Sequence, residues 1–138
     1  MKSFDTDVLT LILQGDATLV QKAATIPAAE RSIPIVVADQ LLRGRLNSIR
    51  QAEAGKAKAG IDVAYAYFEK TLIYIKRMEF LSFSPQAEAL AQSWRKQKIK
   101  VGISDLRIAG ICVVHSATLI SRNRRDFDQV PGLMVEYW

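Results

Sequence analysis

Apolar positions fall in short clusters, and their spacing alternates along the chain between the period of a strand and that of a helix. Lys2-Ser3-Phe4 predicts a short strand leading into Asp5-Thr6-Asp7, after which Val8, Leu9, Leu11, Ile12 and Leu13 form a helical apolar stripe that Gly15 stops. Asp16 suits the cap of a second short helix ended by Pro27. Ile33 to Val37 is rich in β-branched residues and predicts a buried strand. Asp39 to roughly Gln51 predicts a helix with Leu41, Leu42, Leu46 and Ile49 on its inner side.

After the turn-like stretch Gly55 to Gly60, a long helix is expected from Asp62 to Arg77, with Tyr65, Phe68, Leu72 and Ile75 at spacings of three and four. Glu79 to Ser82 predicts another strand, and Pro85 opens a helix that ends near Gln97. Ser104 is expected to cap a helix carrying Asp105 in its first turn and Ile108, Ile111 and Cys112 on one face. Thr118-Leu119-Ile120 predicts a strand, Ser121 to Asp128 a polar loop, and Met134-Val135-Glu136 a last strand. Strands alternating with helices indicate an α/β fold, a short and mostly parallel sheet sandwiched between helices. No repeat or Ser/Gly linker divides the pattern, so a single domain over residues 1–138 is expected.

Composition narrows the function classes. The 19 Lys and Arg against 14 Asp and Glu give a net charge of +5, which is compatible with a polyanionic partner. The single cysteine, Cys112, excludes an internal disulfide and a Cys-rich zinc site, and it is expected to be buried and inert. Apolar runs are too short and too often broken by charge for a transmembrane helix, and Asp5 comes too early for a signal peptide. A cytoplasmic protein without a membrane partner is therefore expected.

Three acidic residues share one structural context. Asp5 lies just past a strand's carboxyl end, Asp105 sits in the first turn of a helix, and Asp126 follows a strand in a short loop. In open parallel sheets these places lie along one edge, where ligands bind. Carboxylates gathered there repel each other unless a cation sits between them, and an oxygen-rich set suits Mg²⁺ or Mn²⁺. Taken singly, each Asp is better read as a helix or turn cap, and it is their recurrence along one edge that points to a site.

The wording of four segments goes further. Phe4-Asp5-Thr6-Asp7-Val8-Leu9 resembles the opening motif of PIN-domain ribonucleases, an apolar residue followed by Asp-Thr-Asn and two apolar residues. Val36 to Gly44 resembles their second motif, Ile103-Ser104-Asp105-Leu106-Arg107-Ile108-Ala109 their third, and Leu119 to Phe127 their fourth, with Asn123 and Asp126 in it. The match runs through the whole chain in order and is similar to the VapC-type toxins of toxin–antitoxin pairs. It implies a metal-dependent endoribonuclease, a hydrolase acting on RNA with carboxylate-held Mg²⁺ or Mn²⁺. It also implies a cognate antitoxin and a homodimer, with contacts through the long helix and the first ones. Carried over by position, Asp5, Gln40, Asp105 and Asp126 are the candidate catalytic residues, and Asp5, Asp105, Asn123 and Asp126 the candidate metal ligands. Which of Asn123 and Asp126 faces the metal stays open. Thr6, Arg122, Arg124 and Arg125 are the candidate RNA-binding residues, the arginines as phosphate partners.

One position departs from the pattern. The second motif has a glutamate four residues before the glycine, where this chain has Gln40 before Gly44. The amide is nearly isosteric but carries no charge, so metal binding and cleavage are expected to be weaker. Three explanations stand side by side: a drift in which Asp39 or a water takes over, a substitution made to silence a toxic enzyme, and a natural protein of low activity. On adjacent helical positions Asp39 and Gln40 point about 100° apart, so Asp39 is no automatic substitute. A disabled RNA- or antitoxin-binding module is the second reading. A third comes from Asp5-Thr6-Asp7-Val8-Leu9, which also fits the opening of haloacid-dehalogenase-like phosphatases, although their late acidic pair is missing. The remaining conspicuous residues have plainer roles. Arg43, Arg45 and Arg50 suit a solvated helix face, Tyr65, Tyr67, Phe68 and Tyr74 packing, and His115 a helix C-terminus.

Overall fold

The computed structural model describes residues 1–138, and its sheet is built outward from the first strand. Lys2–Phe4 is β1, Arg31–Pro34 β2, Glu79–Leu81 β3, Thr118–Ser121 β4 and Val135–Tyr137 β5. They form one five-stranded sheet in the order β3-β2-β1-β4-β5. Every pair is parallel, with Ser3 opposite Ser32 and Phe4 opposite Ile120. The helices are α1 (Thr6–Leu13), α2 (Ala17–Ala24), α3 (Ile35–Glu53), α4 (Ile61–Ile75), α5 (Pro85–Lys96), α6 (Ile103–Val114) and α7 (Arg124–Phe127). The α/β class and the parallel sheet are as expected. No helix is long and apolar enough to cross a membrane.

Strands of three or four residues can bury both faces only if large side chains cover them. Phe4, Ile33, Leu119 and Ile120 supply the sheet's part of the core, and Val8 and Leu9 of α1 pack among them, all without exposure. The middle of α6 is apolar nearly all round: Leu106, Ile108, Ala109, Ile111 and Cys112 are fully buried. Burial pushes the Cys112 thiol up to about 12, so it is inert at neutral pH. His115 caps the C-terminus of α6, as expected.

Small residues let α5 lie close against α6. Ala87 and Ala91 are fully buried, and a Cβ placed on Gly110 would meet the Ala87 carbonyl oxygen at 2.6 Å. Gly110→Ala is therefore expected to destabilise the fold by about 1–3 kcal/mol through a forced backbone shift. Urea denaturation checks this, and an unchanged midpoint would mean that the helices separate without cost.

Five local expectations are corrected. The second strand ends at Pro34, and Ile35 to Val37 form the first turn of α3 instead of a strand. Proline cannot donate to a ladder, and its extended backbone (φ −62°, ψ 140°) delivers the chain into the helix. Leu46 is exposed on α3, whose buried side is Val37, Ala38, Leu41 and Ile49, and Tyr65 and Leu72 are exposed because α4 turns Ala64 and Thr71 inward beside Ile75. Thr71 can be buried there because its hydroxyl donates to the Tyr67 carbonyl (2.9 Å). Gly102, not Ser104, precedes α6, with no side-chain cap. The polar loop contains α7, whose cap is Asn123 accepting from the Asp126 N–H. The last strand begins one residue later than expected.

Candidate functional site

Chain order reverses at β1: β2 and β3 lie to one side, β4 and β5 to the other. Ligands bind at the strand carboxyl ends beside such a reversal. Asp5, the residue after β1, stands there, with its backbone N–H donating to the Ile120 carbonyl of β4 (2.9 Å). The residue is 5% exposed, and its carboxylate is gripped at both oxygens. The Thr6 N–H donates to Oδ1 (2.8 Å) and the Ser121 hydroxyl to Oδ2 (2.8 Å). Burial pushes the Asp5 carboxyl up, and the bonds from Ser121 and Thr6 counter that only in part.

The third motif brings Asp105 to the same place from the first turn of α6. Its carboxyl is pushed up to about 6, first by burial and then by the negative charges of Asp5, Asp126 and Asp7. Residues a hundred positions apart in sequence thus feel each other's charge. None of the four is ion-paired with Lys, Arg or His; the ion pairs are Lys2–Glu136, Arg43–Asp39 and Arg107–Glu88.

Asp126 reaches the cluster from α7, and Asn123 holds it. The Asn123 amide donates to Asp126 Oδ2 (2.9 Å), while the Asn123 backbone N–H donates to the Ser121 hydroxyl oxygen (3.0 Å). A continuous hydrogen-bonded path therefore runs from Asp5 through Ser121 and Asn123 to Asp126. Sequence reasoning missed Ser121. Its only signal was a polar residue ending an apolar strand, which gains meaning once β1 and β4 are known to be neighbours.

Gln40 is tied to the rim of the cluster, its Oε1 accepting from the Thr6 hydroxyl. Asp39 is exposed, and its carboxylate pairs with Arg43 on the same helix (2.8 Å) and with no residue of the cluster. Arg122, Arg124 and Arg125 are all exposed near the cluster's α7 side, and the Arg124 guanidinium lies over the Tyr137 ring (4.2 Å).

Oxygen-only donors, unneutralised and mutually repelling, fit a hard divalent cation. No three side chains of His, Cys, Asp and Glu converge closely enough to cage an ion by themselves. The set present suits an ion held by one or two carboxylates that keeps several of its waters, the usual habit of Mg²⁺.

The PIN domain family model matches residues 3–133 of the chain. Ribonuclease VapC2 of Rickettsia felis is 29% identical over 70 residues, a stretch covering 48% of this chain and 52% of that protein. The chain thus spans about half the length of the curated relative it matches. Among solved structures, the VapBC2 complex from Rickettsia felis bound to a DNA fragment from their promoter contains a chain of the same fold. Its TM-score is 0.77 at 20% identity, covering 99% of this chain and 98% of that one. DNA-bound VapBC from Salmonella typhimurium gives 0.77 at 19% identity, covering 99% and 97%. At such identities the structural likeness speaks for the fold alone. The family match is to PIN domains and not to phosphatases, and with four motifs in order and a parallel sheet that gathers their acids, the chain belongs to the PIN domain family.

Proposed function

We propose that the chain is the VapC-type toxin of a toxin–antitoxin pair, a cytoplasmic endoribonuclease that hydrolyses RNA phosphodiester bonds with carboxylate-held Mg²⁺ or Mn²⁺, slowed by Gln40. The observation that carries this reading is the unneutralised group Asp5, Asp105 and Asp126 at the β1–β4 switch point. A divalent ion, when bound, lowers the pKa of its water and offsets charge growing on the phosphate. Asp5 and Asp105 hold the ion in this reading. Ser121 and Thr6 fix the Asp5 carboxylate in one orientation, and Asp105 takes no hydrogen bond from a protein donor, so its oxygens stay available. Asp126, steadied by Asn123, keeps one oxygen free to orient a water. Thr6 shapes the rim through Gln40, and Arg122, Arg124 and Arg125 meet the RNA backbone.

Incubating the chain with RNA is expected to give slow cleavage that depends on Mn²⁺ or Mg²⁺ and stops with EDTA. If neither the chain nor its Gln40→Glu variant cleaves at any metal concentration, the proposal fails and a disabled RNA- or antitoxin-binding module replaces it. Charge reversal of Arg124 and Arg125 together should weaken RNA binding and lower the slope of log K against log salt by about two. An unchanged slope in a salt titration would show that neither touches phosphate.

Two features support the protein partners. A groove of about 290 Å³ between α1, α2 and α4 has Ile12, Leu13, Val20 and Tyr74 in its walls, with Arg31 and Lys70 beside them. It suits an antitoxin segment with apolar and acidic residues. Val63, Tyr65, Leu72 and Ile73 leave α4 with exposed apolar side chains, which supports contacts with antitoxin or a second copy of the chain.

A further inference from the structure

A separate cavity of about 430 Å³ opens along the outer side of α1. Asp7, Thr10, Leu11 and Gln14 line it from one face of that helix, and Arg122 lines it from the segment after β4. It adjoins the carboxylate site at two points. Asp7 is close enough for its charge to act on Asp5 and Asp105, and Arg122 directly follows Ser121, which holds Asp5.

Its lining is incomplete in an informative way. Asp7 and Arg122 carry opposite charges in one cavity yet form no ion pair with each other or with any other residue. The Thr10 hydroxyl is already engaged with the Thr6 carbonyl (2.9 Å). A free two-oxygen acceptor and a free cationic donor therefore share a space in the lower part of the size range of ligand pockets. Leu11 offers the apolar surface.

Resting on the ribonuclease reading above, we propose that this cavity receives the nucleobase flanking the scissile phosphate, and that Asp7 makes it select guanine. An ionised carboxylate only accepts hydrogen bonds. Guanine alone among the RNA bases presents two adjacent donors, N1–H and the N2 amino group, matching the two carboxylate oxygens. Adenine and cytosine place an acceptor beside their single amino donor, and uracil flanks one donor with two carbonyl oxygens. Each of these brings a lone pair against Asp7. Single-stranded RNA is read in this way, through base edges splayed out beside a held backbone. Arg122 pairs with the adjacent phosphate.

Fluorescence anisotropy with labelled hexauridylate and its single central G, A and C replacements tests this on the full chain, in Ca²⁺ and with RNA integrity checked on gels. The G-containing oligomer should bind about tenfold tighter than hexauridylate. Asp7→Asn should remove the preference, and Arg122→Gln should weaken all four oligomers alike with a salt slope lower by about one. Circular dichroism establishes that each variant is folded, and Asp7→Ser serves if Asp7→Asn is not. Equal binding of the four, or a guanine preference that survives loss of the Asp7 charge, overturns the base subsite. Failure of all four to bind, in both the chain and its Gln40→Glu variant, overturns the ribonuclease reading beneath it.

Discussion

Gln40→Glu is expected to raise Mn²⁺-supported RNA cleavage by about 10- to 100-fold and to tighten Mn²⁺ binding by a similar factor, a size typical for one altered partner around a metal. The change is nearly isosteric. Glutamate keeps the Oε1 acceptor, so the Thr6 hydroxyl retains its partner. What it adds is one negative charge beside a cluster that already contains Asp5, Asp105 and Asp126. A unit charge about 5 Å from a dication contributes several kcal/mol at an effective dielectric near 20, and desolvation returns part of it. The same charge acts with the opposite sign when no ion is present, because it then adds to the repulsion. Thermal melts should therefore show the variant below the parent in EDTA and above it in Mn²⁺. If cleavage, affinity and both melts are unchanged, Gln40 does not limit this site.

Much of the fold was legible because local signals and tertiary needs coincide. Asp16 sits where α2 needs a cap and does accept from the Leu19 N–H (3.0 Å). Gly15, with φ +86°, occupies the left-handed turn after α1. Where the reading slipped, periodicity fixed a spacing but not its phase. On α4, both Tyr65/Leu72 and Ala64/Thr71 repeat every seven residues. The small pair faces inward, because a large side chain there would hold α4 away from its neighbours. The β-branched run from Ile33 to Val37 could not show that Pro34 divides it between strand and helix.

Within the site, sequence order found Asp5, Asp105 and Asp126 as candidates but could not give their condition. Asp5 is buried and hydrogen-bonded at both oxygens, whereas Asp105 is half-buried and faces the repelling charges of Asp5, Asp126 and Asp7. That difference arises from the pairing of β1 with β4 and from the placement of the start of α6, neither of which leaves a mark in any short segment. The net charge of +5 was likewise no guide to the site, since the local balance there is negative, with the basic surplus placed around it and on distant helices.

Asp105→Asn is expected to separate function from stability. Cleavage should fall by about a thousandfold or more, since several kcal/mol of metal-based stabilisation of the transition state depend on this carboxylate in the proposed mechanism. The metal-free variant should nevertheless melt above the parent. Asp105 binds its proton more tightly in the folded chain, its pKa rising from an ordinary 3.8 to about 6. Between these values the unfolded chain loses the proton first, so the folded state binds more protons and stability falls as pH rises. The loss is absent below about pH 4, grows through the window and is complete above about pH 6. Asparagine keeps the shape and has no charge to develop. In EDTA, the gap in melting temperature between variant and parent should thus be smallest near pH 4, widen toward pH 6 and then level off. Adding Mn²⁺ should close it from the parent's side, because only the parent gains a full ligand. Parallel circular dichroism melts from pH 4 to 7.5 decide the matter. A parent that melts higher without metal, or a gap that ignores pH, would mean that Asp105 is not held under the charge of Asp5, Asp126 and Asp7.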